Sequence, residues 1–165
     1  MNLARLTEDH DGSGGSFDEL NDLVVIGYTP IGAIKGNFGS IEVHARETVI
    51  PASNLVDHSI RFEFSTAGDY PQSSVGTINR KDIDSFVQAL EKLEYTAIHK
   101  DRFQFTEVQY EVGEIKITVF NNAQNALMWA FQCESLSSHF NSMGKIGDLK
   151  RLVEQACAHL DAVRK

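Results

Sequence analysis

The chain has 165 residues, 42% hydrophobic and 23% charged, with a net charge of −8. That is enough chain to bury one core without staples, and the acidic balance argues against phosphate backbones as partners. No apolar run reaches membrane-spanning length and no basic segment precedes an apolar one at the N-terminus, so a cytoplasmic protein is expected, with no membrane partner.

The acidity is concentrated at the start. Residues 1–22 carry Glu8, Asp9, Asp11, Asp18, Glu19 and Asp22 against Arg5 alone, and the stretch DGSGGS within them has the composition of a flexible linker. A flexible acidic N-terminal tail over 1–22 is therefore expected. Asp9, Asp11 and Ser13 alternate ahead of Gly14, which resembles the first half of an EF-hand calcium loop, with Glu19 as the candidate closing carboxylate. The second half departs from the pattern. Ser16 stands where an apolar anchor belongs and Leu20 where the bidentate Glu belongs, with Glu19 one place early.

Residues 23–165 read as a single α+β domain in two halves, about 23–94 and 95–165. A compact apolar run at 23–28 ends at Thr29 and Pro30, and a second run at 31–38 is broken by Gly32 and Gly36. Ile41, Val43 and Ala45 then alternate with Glu42, His44 and Arg46, and Ile60, Phe62 and Phe64 with Arg61, Glu63 and Ser65. A period of two puts apolar groups on one face of a strand and polar groups on the other. Residues 67–76 read as a Gly, Pro and Ser-rich loop. Ile83, Phe86, Val87, Leu90 and Leu93 predict a helix from about Asn79, a residue suited to capping, to Glu94.

The second half repeats the theme. Val108, Tyr110 and Val112 form one alternating strand, and Ile115, Ile117 and Val119 another, with Gly113 supplying the reversal between them. Phe103 and Phe105 fall out of phase with Val108, which predicts a bulge near Phe105 and Thr106. Leu127, Trp129, Phe131 and Cys133 form a third strand, residues 135–139 read as a polar loop, and Ile146, Leu149, Leu152, Val153, Ala156, Cys157 and Leu160 recur at helical spacing. Gly39-Ser-Ile-Glu-Val lies over Gly113-Glu-Ile-Lys-Ile, and the following strands and helices can be matched in order. The expected fold is a single antiparallel sheet of about six or seven strands with two helices on one face, built as a duplicated βββα unit.

Function is harder to read. Cys133 and Cys157 fall on inward positions and read as buried small hydrophobes. The six histidines show no metal pair on a helix or strand, the serines at 135, 137 and 138 lack a nucleophile turn, and the glycines lack the order of a phosphate cradle. No catalytic residues and no cofactor are expected. The open sheet face is the candidate partner surface, represented by Glu42, His44, Arg61, Glu63, Lys116, Met128 and Ala130. It lacks the basic track with stacking rings that single-stranded nucleic acid requires, so nucleic acid is a disfavoured partner.

The leading expectation is a non-catalytic protein-interaction or chaperone-like module, dimeric or with a protein partner, using that face or an unpaired edge at 103–112. At fold level it resembles the small acidic secretion chaperones, without their long first helix. The repeated sheet-and-helix unit also resembles whirly and Pur-type units, and that resemblance implies single-stranded nucleic-acid binding as an alternative. A second alternative is a calcium-responsive domain acting through the N-terminal loop.

Overall fold

The computed structural model describes residues 23–96 and 103–164. The tail at 1–22, with Asp9, Asp11, Ser13 and Glu19, lies outside the described residues. Four strands, β1 (Val25–Gly36), β2 (Gly39–Ile50), β3 (Leu55–Thr66) and β4 (Ser73–Asn79), precede helix α1 (Arg80–Glu94). Four more, β5 (Glu107–Val112), β6 (Ile115–Asn121), β7 (Leu127–Cys133) and β8 (Leu136–Phe140), precede helix α2 (Gly144–Val163).

The strands form two antiparallel sheets of four, ordered β1-β2-β3-β4 and β5-β6-β7-β8, in place of the single expected sheet of six or seven. Three differences account for the count. The runs at 23–28 and 31–38 are one strand, continued across a register shift between Pro30 and Gly32 that leaves Ile31 unpaired. Proline lacks the N–H a ladder needs, so the chain bulges there without ending the strand. Secondly, β4 lies partly inside the predicted loop at 67–76. Its SSVGTIN sequence buries only Gly76 and Ile78, and a Cβ at Gly76 would meet Ile115 and the Cys133 sulfur. Contact with the second sheet selects a residue that hides the strand's pattern. Thirdly, β8 replaces the predicted polar loop, with Ser138 and Phe140 fully buried in a short strand.

Phe103 and Phe105 precede β5 and are exposed, so the expected bulge is a loop. Asn121 pins that loop, its side-chain carbonyl accepting from the Thr106 N–H at 2.7 Å and its amide donating to the Gln104 carbonyl at 2.8 Å.

Strand register fixes which residues share a face. Val43 pairs with Phe62 and Ile41 with Phe64 in the first sheet; Ile117 pairs with Phe131 and Val119 with Trp129 in the second. Residues directly opposite in an antiparallel pair point the same way, so each sheet has one apolar face. The two apolar faces meet. Phe131 of β7 lies 5.7 Å from Phe62 and 5.6 Å from Phe64, ring centre to ring centre. Trp129 stacks on Phe140 at 4.4 Å, and its indole N–H donates to the Ser142 carbonyl at 2.9 Å, so a large buried side chain leaves no polar atom unpaired.

Both helices lie on the inner side of the first sheet and pack on each other. Helix α1 buries Ile83, Phe86, Leu90 and Leu93 against β3, β4 and β5, each side chain contributing about 1.5–3 kcal/mol by leaving water. Helix α2 closes the second half of the chain yet covers β1, β2 and β3 of the first sheet. Gly32 makes this approach feasible, since a Cβ there would overlap the Leu152 side chain. One core therefore spans both sheets and both helices.

The cysteines are buried or half-buried free thiols, and burial raises both above the ordinary thiol value. A raised thiol pKa means the folded chain holds the proton more tightly than the unfolded one. This contribution is present at neutral pH and is lost as pH climbs through and beyond the ordinary thiol range. Cys133 in the native protein should be inert to an aromatic disulfide reagent at pH 8 and react promptly once denatured; equal rates in the two states would contradict this placement.

Candidate functional site

Because the apolar faces meet, the polar faces of the two sheets point away from the core, and the predicted partner surface is divided between them. Glu42, His44, Arg61 and Glu63 come together on the outer face of the first sheet. Lys116, Met128 and Ala130 share the outer face of the second, around Thr118, Phe120, Gln132 and His139. A shallow pocket of about 350 Å³ lies on that second face, with Phe120 set edge-on to His139 at 5.8 Å.

The first outer face holds more chemistry. Strand β2 presents Glu42, His44, Arg46 and Thr48 outward, and β3 answers with Glu63, Arg61, Ser59 and Asp57 directly opposite. From β1, Tyr28 is registered with Arg46, and the Arg61 guanidinium lies over the Tyr28 ring at 5.1 Å from its centre. Arg61 also donates to Glu63 Oε2 at 2.8 Å. A guanidinium held by a ring and a carboxylate together loses much of its freedom, which fixes the Glu63 head.

His44 stands differently. Its side chain is 13% exposed, and Nε2 lies 3.4 Å from Glu42 Oε2, within reach of a charge attraction if the imidazole is protonated. The same nitrogen is shielded from solvent and makes no hydrogen bond to the described residues. The two observations agree on proximity and differ on geometry: the contact is electrostatic and poorly directed. Arg46 Nε, Thr48 Oγ1 and Ser59 Oγ are likewise buried without hydrogen-bond partners on this face. Unpaired buried polar atoms cost about 1–3 kcal/mol each, so groups like these call for a partner from outside the described residues, ordered water included.

A cleft of about 860 Å³ opens between the far ends of β2 and β3 and the helix termini. It is lined by Glu47, His58, Arg80, Lys81 and Arg164 among others, with His58 2.8 Å from Glu47. Of its cations, Arg80 is paired, lying 3.5 Å from both Asp84 and Asp161.

Comparison with protein-family models, with curated proteins and with solved structures finds no match to this chain. Its sites are therefore weighed on their own geometry. Among the described residues, no helix is long and apolar enough to cross a membrane.

Alternation places Glu42 and His44 on one strand face within reach of Arg61 or Glu63, and the register brings both opposite: Glu42, His44 and Glu63 offer one donor atom each within 4.8 Å of one another. Sequence reasoning read this group as an ordinary polar cluster and missed its donor geometry. It also missed an exposed apolar end to the first sheet. Strands β1, β2 and β3 each have 12 residues and run past the helices. Leu23, Val24, Val25, Ile26, Leu55 and Val56 are all more than two-fifths exposed there. The compact apolar run at 23–28 was itself the signal, since a fully apolar strand needs cover on both faces.

Proposed function

We propose that this protein is a non-catalytic interaction module that self-associates through the free edge of β1 at residues 25–29, and through that dimer presents its outer faces to protein partners. The observation that carries the reading is this edge. Residues 25–29 include no charged side chain, no proline and no bulge, and Val25, Ile26 and Tyr28 are 42–50% exposed. An unprotected apolar edge is a template for another strand.

The other edges are guarded. The remainder of β1 carries Pro30, the register shift and Lys35. β5 carries Glu107 and Glu111, β8 is packed on β2 and β3, and β4 is packed on α1 and β7, with Val75 its one exposed large apolar side chain. A second copy is the fitting occupant because two uncharged identical segments, paired antiparallel about a two-fold axis, meet without charge repulsion and join two sheets into one. The pairing of Arg61 with Glu63 and the lack of a basic track with stacking rings favour a protein partner over nucleic acid. We also read the two halves as a duplicated unit, now of four strands and a helix. Support comes from the identical element order and from Gly39 and Gly113, both at positive φ, at the corresponding turns.

Light scattering on the full chain should give the mass of a dimer. Ile26→Lys sets like charges beside each other near the axis, and Ile26→Pro removes an N–H that points away from β2 at the free edge. Each should weaken association at least tenfold, about 1.4 kcal/mol, with little change in the thermal melt. A native chain that stays monomeric at high micromolar concentration would reject the reading, as would a dimer that both variants leave intact.

A further inference from the structure

We propose that Glu42, His44 and Glu63 form a binding site for a divalent transition metal of the zinc type. Three observations converge. Each residue offers one donor atom, and the three lie within 4.8 Å of one another. Glu42 and Glu63 are directly opposite in the β2–β3 ladder, and the Arg61 guanidinium answers Glu63 through one oxygen, which leaves Glu42 facing His44. His44 Nε2 is buried beside them with no hydrogen bond to the described residues, so in the Nδ1-protonated tautomer its lone pair is free to bind a cation.

The donor set selects the class of ion. Calcium and magnesium take oxygen ligands, in numbers this face does not supply, whereas an imidazole with two carboxylates suits zinc and its neighbours. Around a zinc ion, with ligand distances of about 2.0–2.2 Å, His44 Nε2 and Glu42 Oε2 at 3.4 Å already stand at donor spacing and Glu63 would draw closer. The Glu42 and Glu63 side chains are 57% and 41% exposed and have room to turn inward; the imidazole is the fixed point. Arg61 is a positioning residue here: its bond to Glu63 Oε2 orients that carboxylate and leaves the other oxygen to the metal. Three protein ligands leave a fourth position open to water or to an incoming donor, which is the pattern of a reactive or exchangeable site and not of a closed structural one. The site lies on the outer face, away from the inner core, and does not depend on self-association through β1.

The test is calorimetric titration of the chelator-treated full chain with zinc chloride, with calcium chloride as the comparison. One zinc site is expected, with no calcium bound to the same residues. Glu42→Gln, at an exposed position, should keep the native melt and weaken that site by at least about 10-fold, the low end of what losing even an outer-shell partner costs, and His44→Gln should do the same. No zinc binding by the native chain would overturn the proposal. So would an unchanged titration in both variants, or calcium binding that Glu42→Gln abolishes.

Discussion

Phe62→Ala should destabilise the protein by about 3–5 kcal/mol, the largest effect expected of any single substitution discussed. Phe62 is fully buried on β3, and its ring lies 5.7 Å from Phe86 of α1, edge-on, and 5.7 Å from Phe131 of β7. It therefore joins three layers: the first sheet, the helix in front of it and the second sheet. Truncation removes the apolar area and leaves a cavity that cannot collapse, because its walls belong to elements fixed elsewhere. With domain stabilities of about 5–15 kcal/mol, this is a large share of the total. Urea unfolding followed by fluorescence of the buried Trp129 measures it. A loss below about 1 kcal/mol would mean the sheets do not meet at this ring.

Gly39→Ala should cost roughly 2–4 kcal/mol, far more than a glycine-to-alanine change usually does. Gly39 begins β2 with φ near 150°, and an added Cβ would overlap both Ser138 Oγ and the Ser65 carbonyl oxygen. Ser138 is itself fully buried, donating to the Ser65 carbonyl at 3.2 Å and lying 3.4 Å from the Phe38 carbonyl. These contacts attach β8 of the second sheet to the turn and strand end of the first. A methyl group must push the sheets apart or break the serine contacts, and either costs more than backbone entropy returns. Ser138→Ala, which loses only the hydroxyl, should cost about 1 kcal/mol by the same urea assay. If Gly39→Ala proves neutral or stabilising, the sheets are not in contact at this corner.

Much of the local structure was legible in the chain. The strands around Ile41 to Ala45, Ile60 to Phe64 and Ile115 to Val119, and both helices, follow from periodicity, because one-sided burial writes itself into alternate or helical spacing. Where burial is set by another layer the signal fails. Gly76 and Ser138 read as loop residues, yet they are strand residues chosen small so that the opposite sheet can approach. Pro30 reads as a strand end, but a register shift absorbs it.

The candidate site divides in the same way. The outward placement of Glu42 and His44 is a property of one strand, fixed by its alternation. Bringing Glu63 beside them, and sending Lys116, Met128 and Ala130 to a different surface, depended on strand register and on the separation into two sheets. The amino-acid order by itself determined which residues are inside and which are outside along the elements buried on one face, since that is settled within a few residues by the backbone's own period. Only the tertiary structure decided which outsides share a surface, because ladder register and layer packing are set by contacts between segments far apart in the chain. For that reason α2 covers the sheet of the other half, and the polar residues face two directions.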